Sequence, residues 1–164
     1  MEIVILDELS ATTFVKKATV PCVMVSIVGT RQEPVAFATN PYVREILRLR
    51  FNDIDYGECV TGRVRVPRAA DFVLLPPFAQ RVANDPPSVV AVHCCSGISR
   101  SSAVAQALAD KWGLPLDVWH ERKYCANLRV YTLACKVLDV PRTKADMELR
   151  YAWRLAYSSW HSTY

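Results

Sequence analysis

The most informative stretch of the chain is SVVAVHCCSGISRSSAVAQALADKW, which spans residues 88–112. It opens with the short apolar run Ser88–His93 and continues through a small polar segment that contains Gly97. From Arg100 onward, apolar residues recur at helical spacing as far as Gly113, a typical helix stop. The pattern predicts a buried strand, a tight loop and a helix in succession, which is where α/β proteins bind ligands.

The rest of the chain alternates between strand-like and helix-like patterns. We predict further strands at Glu2–Leu6, at the continuous apolar run Cys22–Val28, and at Val43–Phe51, which alternates between apolar residues and arginines. Ser10 is the candidate cap of a helix that reaches Lys17. Residues 67–83 have a helical pattern that two prolines kink or split, and residues 116–164 have helical spacing throughout, broken near residue 141.

This order of elements predicts an α/β fold with a single domain, residues 1–164. We expect a three-layer sandwich, in which helices flank a mainly parallel central sheet of four to five strands. A chain of 164 residues, 51% of them hydrophobic, is long enough to bury its own core without a metal or a disulfide. We therefore expect no cofactor and no metal.

Composition and charge narrow the classes of function. Six cysteines occur in a chain too large and too hydrophobic for a disulfide scaffold. The N-terminal stretch carries Glu2 and Asp7 where a secretory signal needs a basic start, and no run approaches the ~18 apolar residues of a membrane span. These features predict a cytoplasmic protein without membrane contact. A net charge of +4 is too mild for a dedicated nucleic-acid binder, which disfavours a nucleic-acid partner.

The segment between the predicted strand and helix has the composition of a phosphate-binding loop with a nucleophile. Cys94 stands at the strand end, where N–H groups, a helix N-terminus and Arg100 favour the reactive thiolate. Arg100 offers a planar fork for two phosphate oxygens, Ser101 can hydrogen-bond the sulfur as it departs, and His93 is expected to orient the loop. The oxyanion itself is expected to bind to Cys95, Ser96, Gly97, Ile98, Ser99 and Arg100. The alternative is an inert buried thiol before an ordinary helix.

In register, His93, Cys94, Gly97, Arg100 and Ser101 resemble the His-Cys-x-x-Gly-x-x-Arg-Ser loop of the protein tyrosine phosphatase superfamily, closest to its dual-specificity branch. The resemblance implies a phosphocysteine mechanism and a dual-specificity phosphatase-like fold. It is sharp over about ten residues and plausible in architecture over residues 20–140.

The resemblance also implies a general acid, an aspartate on a separate upstream loop. Asp53 and Asp55 stand 41 and 39 residues before Cys94, directly after the predicted strand that ends at Phe51. We predict Asp53 as the acid and Asp55 as the alternative. The other interpretation makes both aspartates solvated loop carboxylates. Asp71 and Asp85 are nearer in sequence, but one falls in a predicted helix and the other in a turn.

The predicted function is a protein tyrosine or dual-specificity phosphatase, a hydrolase that acts on phosphorylated proteins or peptides and binds phosphate or other oxyanions. The loop interior lacks basic residues, which disfavours an inositol lipid substrate. Three alternatives remain: a phosphate-binding module with weak or no turnover, a phosphatase for RNA 5′ phosphates or another non-protein ester, and a rhodanese-like sulfurtransferase. The helical pattern of the ~70 residues after the loop disfavours the last, because the rhodanese cysteine usually lies late in its domain.

Three weaker predictions concern individual side chains. Asn127 falls where many dual-specificity relatives carry an asparagine that helps position the C-terminal helices or a water. Cys95 could trap an oxidised Cys94. The arginines of the upstream half are a candidate attraction for an anionic substrate, although a solvated strand face explains three of them more simply; they are Arg44, Arg48, Arg50, Arg63, Arg65 and Arg68.

Overall fold

Four strands form a single sheet at the centre of the protein, whose structure is a computed structural model that describes residues 1–56, 64–142 and 146–152. The order across the sheet is β1-β4-β2-β3, and every neighbouring pair is parallel. The strands are β1 (Glu2–Leu6), β2 (Cys22–Val28), β3 (Val43–Arg50) and β4 (Val89–His93). The predicted α/β fold with a mainly parallel sheet is confirmed.

The two central strands are buried on both faces, as is typical of parallel sheets. Every residue of β2 is buried, and β4 is buried from Val90 to His93. Strands covered on both faces have continuous apolar runs, because no side of the strand meets water. At the edge, β3 buries Leu47 and Leu49 while Arg48 and Arg50 face solvent, as its alternating sequence predicts.

Helices cover both faces of the sheet, which gives the predicted three layers. On one face, α1 (Glu8–Lys17) buries Ala11 and Val15 against the strands. The main core lies on the other face, where β2, β3 and β4 meet three helices. These are α2 (Leu75–Asn84), α3 (Arg100–Trp112) and α4 (Leu128–Leu138). A 3₁₀ turn, Ala69–Phe72, precedes α2, and residues 146–152 are helical.

Two of the predicted helix boundaries are wrong. The first helix is capped by Asp7, whose carboxylate accepts a hydrogen bond from the Ser10 N–H at 2.7 Å, so Ser10 lies inside the helix. Residues 114–127 form no helix, although their apolar residues have helical spacing. A buried side chain fixes this segment instead: Gln106 donates to the Leu116 carbonyl at 2.8 Å and accepts from the Val118 N–H at 3.0 Å.

The helical pattern predicted for residues 67–83 is split and not kinked, which is one of the two outcomes expected from its prolines. Pro76 and Pro77 occupy the first turn of α2, where a proline costs no helix hydrogen bond. Among the described residues, no helix has the length and the apolarity that crossing a bilayer requires.

Candidate active site

The loop between β4 and α3 places a buried thiol at the carboxyl end of the sheet. Cys94 follows directly after β4 and is 1% exposed, because it sits beneath the loop that ends at Arg100. Its Sγ lies 3.2 Å from the hydroxyl of Ser101, in the first turn of α3. The predicted nucleophile and the predicted helper of the sulfur are therefore in contact.

The surroundings of Cys94 favour its thiolate. Burial by itself raises the pKa of the thiol, because an anion is poorly solvated there. The hydroxyl and the backbone N–H of Ser101 donate to the sulfur, and the charge of Arg100 and the N–H of Gly97 act in the same direction. Together they outweigh burial, and the pKa of Cys94 lies below its ordinary value. By contrast, burial raises the pKa of Cys135 to about 11, as expected of a packing cysteine.

Arg100 lies at the end of the loop, and its guanidinium is fixed beside Asp53. The residue is 7% exposed, and one terminal nitrogen donates to the Phe51 carbonyl at 3.2 Å, which fixes the guanidinium against the end of β3. Its Nε has no hydrogen-bond acceptor within the described part of the chain. A buried guanidinium N–H facing the site is a donor for a phosphate oxygen.

Asp53 lies across this opening from the loop. Its Oδ2 is 3.8 Å from Arg100 Nε, and its side chain is 37% exposed. The other oxygen, Oδ1, accepts hydrogen bonds from the Ser99 hydroxyl at 2.7 Å and from Asn127 Nδ2 at 2.9 Å. One oxygen therefore anchors the carboxyl, while the second faces the space beside Arg100.

Asp55, the alternative acid, occupies a different place. It is 2% exposed, and its two oxygens accept from the backbone N–H groups of Leu128 and Arg129 at 3.1 and 3.0 Å. These N–H groups belong to the first turn of α4, where intrahelical acceptors are missing. Asp55 thus shares the capping of α4 with Asn127, which accepts from the Val130 N–H.

His93 is buried behind the loop, where it can orient the chain but does not face the opening. Its Nε2 lies 2.8 Å from the hydroxyl of Ser26, and Phe37 packs against the ring edge-to-face. Burial lowers the pKa of His93, although a hydrogen bond to the backbone of Cys94 and the charge of Glu8 oppose the shift. Sequence reasoning missed Ser26; the signal was a single hydroxyl inside the apolar run CVMVSIV.

Gly97 allows the loop to pack directly on the first strand. Its φ is +70°, and a Cβ at this position would lie 2.7 Å from the Asp7 nitrogen and 2.8 Å from the Leu6 carbonyl carbon. The N–H of Glu8 also donates to the Cys95 carbonyl at 3.2 Å. The junction of β1 and α1 therefore supports the loop from behind.

Replacing Gly97 by alanine should destabilise the protein by about 2–4 kcal/mol and lower its oxyanion affinity. The strain of a left-handed backbone conformation adds to a clash between the new Cβ and the backbone of Leu6 and Asp7. Gly113→Ala is the matched control: its φ is +66°, but nothing lies within 4 Å of the added Cβ. It should cost only the strain, about 1–2 kcal/mol. Urea unfolding and tungstate titration of both variants measure the difference. Equal effects of the two substitutions would show that the contact with β1 is unimportant.

The remaining predicted residues fall into three groups. Cys95, Ser96 and Ile98 are exposed on the loop, and Ser99 is partly buried beside Asp53. Of the cysteines outside the loop, Cys22 and Cys135 are buried and Cys125 is partly buried. Cys59, Arg63 and the aromatic residues from 153 onward lie outside the described residues. Of the residues described, no three His, Cys, Asp or Glu side chains are grouped as a metal site requires.

Comparisons with known proteins give several similar solved structures, of which three are described here. Human DUSP28 is 14% identical, with coverage of 96% of this chain and 94% of that chain and a TM-score of 0.40. A mouse dual-specificity phosphatase complexed with zinc tungstate is 17% identical, covering 97% and 86%, with a TM-score of 0.43. Tk-PTP in its active form is 11% identical, covering 93% and 88%, with a TM-score of 0.40. No protein-family model and no curated protein matches the chain.

Proposed function

We propose that this chain is a cysteine-dependent phosphatase of the dual-specificity type, which hydrolyses phosphate monoesters on proteins through a phosphocysteine at Cys94. The observation that carries the proposal is the buried thiol, whose pKa is lowered beside Ser101 and Arg100. At the packing cysteine Cys135, by contrast, burial outweighs the neighbouring donors and the pKa is raised. The single domain and the cytoplasmic location expected from the sequence belong to this proposal.

In the first step the Cys94 thiolate attacks phosphorus, an S–P bond forms, and the bond from phosphorus to the leaving oxygen breaks. Arg100 and the loop N–H groups bind the equatorial oxygens, where negative charge accumulates. Asp53 donates its proton to the leaving oxygen. Its exposed Oδ2, beside Arg100 Nε, is suited to this transfer, because Ser99 and Asn127 hold the opposite oxygen.

In the second step Asp53, now ionised, accepts a proton from a water that attacks the phosphocysteine. The S–P bond breaks, inorganic phosphate leaves, and the thiolate returns. The Ser101 hydroxyl, 3.2 Å from the sulfur, stabilises the departing thiolate by donating a hydrogen bond.

The test is hydrolysis of a small aryl phosphate in EDTA across about pH 4 to pH 8. We expect kcat/KM to rise with pH as Cys94 ionises. This rise should occur at a lower pH than for an ordinary thiol, because the pKa of Cys94 is lowered. Activity should fall again at higher pH, which is the basic limb expected where a general acid assists the leaving group. Acid quenching during turnover, followed by mass spectrometry, should find the phosphoryl group on Cys94. Absence of turnover across this range would contradict the proposal, as would a phosphoryl group found elsewhere.

A further inference from the structure

The turn after β2 forms one wall of a cavity beside the candidate active site. The cavity has a volume of about 230 Å³ and is lined by Arg31 of this turn together with Asp53 and Arg100. In the proposed reaction, Asp53 meets the leaving oxygen, so the substrate beyond that oxygen enters this cavity. Residues of the turn are therefore placed to contact the group next to the scissile phosphate.

Hydrogen bonds hold this turn in a fixed position. The Gly29 N–H donates to Gln32 Oε1 at 2.6 Å, and the Gln32 N–H donates to the Gly29 carbonyl at 3.1 Å. Both the N–H and the hydroxyl of Thr30 donate to Asn52 Oδ1, at 3.1 and 3.0 Å. Asn52 directly precedes Asp53 in the chain, so the turn and the candidate acid are joined through one side chain.

Arg31 differs from the arginines of the adjacent strand. On β3, Arg44 pairs with Asp85, Arg48 donates to the Val35 carbonyl, and Arg50 donates to the Thr30 carbonyl. Arg31 is exposed and has no ion pair or hydrogen bond to any residue within 1–56, 64–142 and 146–152. Its guanidinium is therefore not engaged by these residues, although its backbone is held firmly.

We propose that Arg31 forms a cationic subsite, which binds the carboxylate of an aspartate or glutamate next to the phosphorylated residue of a peptide substrate. The inference rests on the proposed function and adds a substrate class to it. The planar guanidinium fork binds a carboxylate through two parallel hydrogen bonds. Asp53 lines the same cavity, beside Arg100.

The experiment compares two phosphotyrosine peptides that differ only in having aspartates or asparagines beside the phosphotyrosine. The measured quantity is the ratio of their kcat/KM values in wild type, Arg31→Gln and Arg44→Gln. Arg44 is the matched control, because it is an arginine at the amino end of β3, at the opposite end of the sheet from Arg31, and pairs with Asp85. We expect a ratio of roughly five in wild type, the size of one surface ion pair.

The ratio should fall to about one in Arg31→Gln and keep its wild-type value in Arg44→Gln. In wild type it should also decrease when salt rises from about 0.05 M to about 0.5 M. A wild-type ratio near one, or an unchanged ratio in Arg31→Gln, overturns the subsite. If the wild type hydrolyses aryl phosphate in either of these cases, the subsite fails while the phosphatase function stands. If aryl phosphate is not hydrolysed either, the proposed function has failed.

Discussion

Replacing Cys94 by serine should reduce hydrolysis of aryl phosphates by on the order of 10³-fold or more, the scale on which catalytic nucleophiles matter. A serine hydroxyl at this position cannot supply the thiolate that Ser101 and Arg100 stabilise. The substitution is nearly isosteric and leaves Arg100 and the loop backbone in place. Tungstate binding should therefore persist, and calorimetric titration of the variant measures it.

Cys95→Ser is the matched control for this prediction. Cys95 is exposed and adjacent in sequence, so it reports on any general sensitivity of the loop to loss of a thiol. The substitution keeps the backbone N–H at this position, so kcat/KM should stay within about twofold of wild type, as expected for a surface substitution. Loss of activity in Cys95→Ser together with retention in Cys94→Ser would show that Cys95, and not Cys94, is the nucleophile.

The second large effect should distinguish Asp53 from Asp55 as the general acid. Asp53→Asn should lower kcat/KM by about 10²–10⁴-fold, the contribution of a general acid. The loss should be greatest for esters with poor leaving groups, because these need the proton most. The basic limb of the pH profile should disappear as well. A series of aryl phosphates with leaving groups of graded acidity, followed across pH, measures both effects.

Asp55→Asn should behave differently because this side chain caps α4. A neutral amide keeps one oxygen for the two N–H groups of Leu128 and Arg129, so we expect a stability loss of about 1–2 kcal/mol. The basic limb of the pH profile should remain. If Asp53→Asn is close to wild type and Asp55→Asn loses the basic limb, Asp55 is the acid and Asp53 is not.

Local sequence was sufficient to predict the elements around the loop. The run Ser88–His93 is apolar because β4 is covered on both faces, and Gly113 ends α3 in the left-handed conformation. The helix start near Arg100 follows from the same pattern. These features depend on residues close together in the chain, which is why periodicity and a stop signal were enough.

Other features depend on tertiary contacts that no local pattern contains. Ser10 and Asp7 are both good capping residues, and Asp7 is the one that caps α1. The backbone of Leu6 and Asp7 also contacts Gly97. The segment 114–127 has helical spacing, yet it forms turns, and Gln106 bonds its Leu116 carbonyl and Val118 N–H. Asp53 and Asp55 look equivalent in sequence. Only the position of α4 distinguishes an anchored, half-exposed carboxyl from a buried cap.

The strand order has a consequence for how the protein folds. β4 lies between β1 and β2, so β1 has no neighbour in the sheet until residues 89–93 have been made and inserted. Pairings between strands so distant in sequence require costly loop closure and slow the folding of a domain. The same insertion brings Cys94 to the end of the sheet. Assembly of the thiol site should therefore coincide with the final closure of the sheet, and folding intermediates that lack β4 pairing should bind no oxyanion.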